Sequence, residues 1–390
     1  MAIPRSLNRD NRSSEESQTP STRSHRRQSP AMTIEASTAA GLLSDGKALR
    51  VFGSSDYLGL SRNASVRAAI DRALNDFGPG LPIGTSLYTT TLHVALEEEL
   101  ADFLGVEMVA LFSSGAVANL ATVTELARQR EVVVDSRSHS SLVAAAGAAG
   151  ASVGVLSPDA GSPIGTTGQG LLIASDGLFA INGELADLGG LSRATDGVQD
   201  VIVLMDDAHA IGTVGTGGRG TRGRQGGVRA DLITGSFSKA LGGGGGGFVA
   251  GRRELVQRVA AQSPYFWATS RPSPLVVASA LAALRVLQHE PHLVSELEHA
   301  TVRLRQALTR HGVQFDSPPT AITPVRVGSA DAAKAASKQL GDAGFFVPAI
   351  TPPVVAEGQA SLRLQSSVLH TAEIIDDVAA EVAIVLSHRA

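Results

Sequence analysis

The chain has 390 residues, 33 Lys and Arg against 37 Asp and Glu, a net charge of −4, and no cysteine. That balance lacks the basic footprint of a nucleic-acid binder, and the missing cysteine excludes disulfides, thiolate metal sites and a cysteine nucleophile. No apolar run is long enough to span a bilayer, so the expectation is a cytoplasmic α/β protein with ample chain for a large core.

Residues 1–30 carry almost no apolar side chains and many Ser, Arg and Pro. Such a segment cannot offset its chain entropy by burial, so residues 1–45 read as a disordered tail and lead-in. Asp10, Glu15 and Glu16 argue against a transit peptide. Residues 48–60, A-L-R-V-F-G-S-S-D-Y-L-G-L, lead into the fold. Residues 63–77 have helical spacing, with Val66, Ile70 and Leu74 on one face. A Gly/Pro/Thr-rich loop fills 78–91. Leu92 to Leu104 then reads as an amphipathic helix burying Leu96, Leu100, Phe103 and Leu104.

Val109 to Phe112 reads as a strand, after which Ser113, Ser114, Gly115 and Ala116 open a helix running to about Gln129. A helix start binds phosphate well through its free N–H groups and dipole. Glu131 to Asp135 is the next strand and delivers Ser138 and His139. Shorter strands are expected at 152–156 and 170–174, followed by D-G-L-F-A-I-N-G-E at 176–184, where Glu184 would orient a neighbouring loop. Val201 to Met205 is a continuous apolar run, as for a parallel strand buried on both faces, and it ends in Asp206, Asp207 and His209. Residues 213–228 form a basic glycine loop, read as mobile and near the site's rim. No G-K-[ST] closes it, so it is not a Walker A loop.

Residues 231–248 read as a strand ending in Thr234, Gly235, Ser236, Phe237, Ser238 and Lys239, then six glycines. Hydroxyls such as Ser236 and Ser238 beside a lysine suit a phosphate. A lysine in a dry pocket has a lowered pKa and can form an imine with an aldehyde. Taken alone, this stretch is equally a flexible glycine-rich surface loop. Asp206 changes that reading. A carboxylate at one strand end and a lysine at another are what pyridoxal phosphate needs, the aspartate pairing with the protonated pyridine nitrogen. Arg252 to Gln262 is helical, 265–274 is a turn between helices, and Leu275 to Arg310 is mostly helical. The rest alternates: strand 322–327, helix 331–343, strands 345–349 and 361–365, helix 371–387. The expected division is a large cofactor-binding domain at 46–270 and a smaller α+β domain at 271–390.

The stretches S-S-D-Y-L-G-L (54–60), L-F-S-S-G-A-V-A-N (111–119), S-H-S-S-L (138–142), M-D-D-A-H-A-I-G (205–212), S-F-S-K-A-L-G (236–242), A-T-S-R-P-S-P (268–274) and R-L-Q-S-S-V-L-H (363–370) occur in order. Together they resemble the fold-type-I pyridoxal-phosphate enzymes. The chain is most similar to the α-oxoamine synthases, the family of 8-amino-7-oxononanoate synthase, aminoketobutyrate ligase, aminolevulinate synthase and serine palmitoyltransferase.

The resemblance implies an aspartate aminotransferase-like large domain with a mostly parallel sheet, and a homodimer with shared sites. It implies no metal. The implied reaction condenses a small amino acid with an acyl thioester, on coenzyme A or an acyl carrier protein, with loss of carbon dioxide. Lys239 would carry the cofactor and shuttle a proton, Asp206 would sustain the electron sink, His139 would stack on the ring, and His209 would bond the phenolic oxygen. Ser114, Gly115, Ala116, Ser236, Ser238 and a partner's Thr269 would hold the phosphate. Arg363 would bind the substrate carboxylate, near Ser55, where the family usually has asparagine. Ala180 stands where the family usually has serine. Within enzymes the alternative is an aminotransferase; outside them it is a cofactor-binding member that has lost catalysis.

Overall fold

The apolar runs become the strands of a seven-stranded sheet. Its order is Met108–Phe112, Gly247–Gly251, Leu232–Ser236, Val201–Asp206, Gly170–Asp176, Arg130–Asp135 and Val153–Leu156. Gly247–Gly251 is antiparallel to both neighbours, and the other pairings are parallel. This computed structural model describes residues 32–37, 41–84, 87–150, 153–156, 170–226 and 229–387, without the side chains of 129 and 153–156. The tail reading at 1–30 lies outside the described residues. Residues 34–390 pack as one unit.

Alternation along each strand sends neighbouring residues to opposite faces. Leu111, Ile233 and Phe248 pack with Leu96, Leu100, Leu281 and Leu284, from the helices Thr91–Leu104 and Pro274–His289. Ala110, Phe112, Leu232 and Val249 pack the other way, with Ala118, Leu142 and Val256 from the helices Gly115–Leu126, Ser140–Ala148 and Arg253–Gln262. The sheet is therefore covered on both sides, which explains its continuous apolar runs. Truncating a leucine such as Leu111 to alanine would cost about 2–5 kcal/mol.

The C-terminal strands form a separate antiparallel sheet, ordered Ile322–Gly328, Ala360–Gln365 and Ala349–Ile350. The core beside it joins Phe52 to Leu304, Leu362, Leu364, Ile375 and Val382. The entry segment thus lies along the last sheet. Gln365 N–H donates to the Phe52 carbonyl at 2.7 Å, and Val368 N–H to that of Tyr57 at 3.0 Å.

Three expectations differ from the fold. Leu74, placed on the buried face of the first helix, is 47% exposed, whereas Val66 is fully buried. Strand 345–349 is two strands: Phe345–Phe346 pairs in parallel with Lys47–Val51, while Ala349–Ile350 pairs with Ala360–Gln365. Pro348 separates them and has no N–H to continue a ladder. The glycine loop after residue 212 is not a loose rim. Through Gly226 it makes tight turns with Gly218, Gly220 and Thr221 buried. Asp207 accepts both the N–H and the hydroxyl of Thr221 at 2.8 Å. Arg222 donates to the carbonyl of Gly105 at 2.7 Å, and Arg224 to that of Ala186 at 2.9 Å. The glycines serve turns with positive φ, such as +75° at Gly215 and +63° at Gly220, which cost glycine little.

Candidate active site

The predicted residues meet where parallel strands end, around a cavity of about 210 Å³. Its first wall is the turn after Met108–Phe112, with Ser114, Gly115 and Ala116. Ser114 caps the helix behind it, its Oγ accepting the Val117 N–H at 3.2 Å. The first-turn N–H groups have no intrahelical acceptor. The glycine run makes this turn fit, because a Cβ on Gly247 would lie 2.3 Å from the Gly115 nitrogen. The glycines admit backbone to backbone here.

The second wall carries Asp206, only 7% exposed. One of its oxygens accepts the Ala208 N–H at 2.9 Å, the other the Asn119 amide at 2.6 Å. Thr234 donates to the Asn119 carbonyl oxygen at 2.6 Å, and the Asn119 amide also reaches Ser141 Oγ at 2.8 Å. Ser141 Oγ is in turn 2.8 Å from His139 Nδ1. Asp206 is therefore aimed by one hydrogen-bonded chain from three elements. Next to it lies Asp176, whose Oδ1 accepts the His139 N–H at 3.0 Å. Burial, reinforced by the charge of Asp206, pushes the Asp176 carboxyl well above the ordinary carboxylate range.

The third wall is Ser236, Ser238 and Lys239, with the two serine hydroxyls 2.7 Å apart. Lys239 is half-buried and makes no hydrogen bond or ion pair with the described residues. Burial lowers its amine below the usual lysine value, against the opposing pull of Asp206 and Asp176. His209 closes the cavity. Its Nδ1 is 2.8 Å from the Tyr57 hydroxyl. Burial, then the positive charge of Lys239, holds its imidazole well below the usual histidine value, so it is neutral at pH 7.

Arg363 and Ser55 do not line this cavity. Arg363 sits within electrostatic reach of Lys239 and His209, and its Nη1 donates to the Ala180 carbonyl at 2.9 Å. Ala180 thus meets the site through its backbone. Ser55 Oγ accepts from Gln365 Nε2 at 3.2 Å. Thr269 is also away from the cavity, its hydroxyl bonded to the Tyr265 carbonyl at 2.7 Å. Glu184 pairs with Arg137 at 2.5 Å, and the guanidinium of Arg137 lies 4.3 Å from the centre of the Phe179 ring. A larger groove of about 510 Å³, beside Arg72, Asp76, Arg285 and Glu290, contains none of the predicted residues.

Sequence reasoning missed Asp176, Asn119, Tyr57 and Gln365. Asp176 carried the same signal as Asp206, a carboxylate ending an apolar run, but the strand was expected to stop at 174. Asn119 and Gln365 lie inside regular elements, where only the fold shows what they face.

The family model of aminotransferase class I and II matches residues 49–382. The 8-amino-7-oxononanoate synthase of Stutzerimonas stutzeri is 37% identical over 340 residues, 84% of this chain and 85% of that protein. That of Nitrosococcus oceani is 34% identical over 351 residues, 87% of this chain and 92% of that one. Among solved structures, a serine palmitoyltransferase from S. paucimobilis with bound PLP and myriocin superposes with a TM-score of 0.86 at 25% identity, over 92% of each chain. The 8-amino-7-oxononanoate synthase of Francisella tularensis has the same fold, with a TM-score of 0.73 at 20% identity over 87% of this chain and 98% of that one. Matched over nearly all its folded length, the chain belongs to the aminotransferase class I and II family, and within it to the α-oxoamine synthases.

Proposed function

We propose that this protein is a pyridoxal 5′-phosphate-dependent acyltransferase that condenses an amino acid with an acyl thioester, releasing carbon dioxide and forming an α-aminoketone. The observation that carries it is the half-buried amine of Lys239, unpartnered among the described residues, sharing one small cavity with the buried carboxylate of Asp206. An orphaned amine, a helix start with glycine backing and a fixed carboxylate fit this cofactor's aldehyde, phosphate and ring nitrogen. The relatives' name supports the product class, since 8-amino-7-oxononanoate is itself an α-aminoketone.

When bound, the cofactor supplies an electron sink for the pair left at the substrate α-carbon. Asp206 would hold the ring nitrogen, oriented by Asn119 and Ala208. The N–H groups at Gly115 and Ala116, with Ser114, Ser236 and Ser238, would take the phosphate. His139 would cover the ring face and exclude water. His209 would bond the phenolic oxygen. Arg363 would grip the substrate carboxylate through its planar donors. That grip leaves the α-proton towards Lys239, whose amine, lowered from the usual lysine value by burial, would accept and return a proton.

A homodimer is part of this reading, with Thr269 reaching the partner's phosphate. The exposed Ile83, Leu87 and Trp267 support a covered surface here. So is the division into lobes at 46–270 and 271–390, the second bringing Arg363 to the first. No helix among the described residues is long and apolar enough to cross a membrane, and we assign the protein to the cytoplasm.

The test incubates the purified protein with labelled amino acids, with and without a panel of coenzyme A and acyl-carrier-protein thioesters. Labelled carbon dioxide and free thiol should appear together and only with a thioester. Stoichiometric 2-oxo acid without thioester would replace this reading with transamination.

A further inference from the structure

We propose that Gln365 is a positioning residue that sets, through Tyr57, which nitrogen of His209 carries the proton presented to the active-site cavity. Gln365 is 1% exposed and Tyr57 is fully buried. Gln365 Nε2 lies 3.2 Å from Ser55 Oγ and 2.9 Å from the Tyr57 hydroxyl. The hydroxyl lies 2.8 Å from His209 Nδ1. These contacts form a line of donors with one direction. An amide nitrogen can only donate, so the Tyr57 oxygen accepts from it. A hydroxyl has one proton, and the Ser55 hydroxyl beside the Tyr57 oxygen acts on it as a second donor, which leaves His209 Nδ1 as the neighbour able to accept. Tyr57 donates there, Nδ1 accepts, and the neutral ring keeps its proton on Nε2. That nitrogen has no partner among the described residues, and His209 lines the cavity.

Three facts give this direction a physical basis. Burial keeps the imidazole of His209 neutral, so its tautomer decides whether it donates or accepts. Burial pushes the Tyr57 hydroxyl up to about 12, so the relay keeps its proton across the working pH range. The opposite amide orientation of Gln365 would reverse every donor. In this orientation Gln365 leaves one buried acceptor, Oε1, without a partner among the described residues. Turned round, it would instead leave two buried N–H donors unpaired, and orphaned donors are rarer and costlier than under-used carbonyl oxygens. The strand fixes the rest, because the Gln365 N–H is tied to the Phe52 carbonyl at 2.7 Å. The role of the presented proton, a donor to the cofactor's phenolic oxygen, rests on the function proposed above. The tautomer itself does not.

The experiment is nitrogen NMR of the full chain carrying ¹⁵N-labelled histidine, with and without added pyridoxal 5′-phosphate. The His209 signals are assigned by their loss in His209→Asn. The wild type should show the Nε2–H tautomer from pH 6 to 9. Gln365→Met keeps the volume and removes the donor, so the tautomer ratio should fall roughly five- to tenfold. Gln365→Glu, an acceptor when ionised, should move the ratio towards Nδ1–H as pH rises. Tyr57→Phe should match Gln365→Met, and stands in for it if that variant does not fold. An Nδ1–H tautomer in the wild type overturns the proposal, as does an unchanged ratio in folded Gln365→Met. Failure to bind pyridoxal 5′-phosphate would defeat the functional reading and leave the tautomer result standing.

Discussion

The wall of parallel strands that carries the site and the C-terminal sheet beside it differ in how completely their polar groups are satisfied. On the wall built by the parallel sheet, Asp206, Asn119, Thr234, Ser141 and His139 are joined in one chain of hydrogen bonds that branches at Asn119. In the C-terminal sheet, Arg363 Nε, Gln365 Oε1, Ser366 Oγ and Thr323 Oγ are buried without hydrogen-bond partners among the described residues. The sheet wall is organised by the protein alone. The C-terminal sheet retains unused hydrogen-bonding capacity in its interior. The contrast follows from chain order. Adjacent parallel strands fix one another at their ends, whereas the last sheet reaches the site through its seam with residues 52–57 and the bond from Arg363 to the Ala180 carbonyl.

The largest effect should come from Lys239→Ala. If the sheet wall is complete without the lysine, losing that amine abolishes the visible absorbance that borohydride removes, and lowers turnover by about 10²–10⁴-fold or more. The thermal midpoint of the cofactor-free protein should not fall, because Lys239 bonds to no described residue and its burial is unfavourable. A drop of many degrees would mean that the amine holds the wall together, and the contrast would fail.

Arg363→Ala tests the other wall. It removes a buried guanidinium whose only described hydrogen bond is to the Ala180 carbonyl. The amino-acid KM should rise and kcat/KM fall by about 10–100-fold, the worth of a charge-assisted pair. Cofactor absorbance and its titration should stay as in the wild type. Arg363→Lys should not restore activity, since a point charge cannot replace a planar fork. Lost cofactor affinity with an unchanged KM would place Arg363 on the wrong wall.

Legibility in the sequence divides along the same line. Asp206 and Lys239 were visible because each ends a run that only a buried strand explains. The sheet's strands were visible for the same reason. Tyr57 and Gln365 were not, because they are neighbours only through the pairing of residues 52–57 with 365–368, over 300 positions apart. Ser55 stands where the family usually has asparagine. The fold shows what the departure meets, the amide of Gln365. The glycine loop was misread because composition predicts freedom from glycines, and only the structure shows Asp207 holding it.

The smallest effect concerns Asp207, a fully buried carboxylate whose Oδ1 has no hydrogen-bond partner among the described residues. Its other oxygen binds Thr221 twice. Burial pushes its carboxyl from 3.8 to about 7, against those two bonds. A raised folded-state pKa means that the native state binds more protons than the unfolded chain between these values. The contribution of Asp207 to stability is therefore largest below about pH 4 and declines as pH rises to about 7. His370 works in the opposite sense, because burial lowers it to about 4 and its contribution grows as pH rises. The total curve hides both, so the informative quantity is a difference. Asp207→Asn keeps an acceptor for Thr221 and removes the charge. Relative to wild type it should gain stability steadily from pH 4 to 7, on the order of 1–4 kcal/mol in total, and nothing further above that. Denaturant unfolding at unit pH steps measures it. Parallel curves for the two proteins would mean that Asp207 ionises without cost, and that the sheet wall carries no electrostatic load behind Asp206.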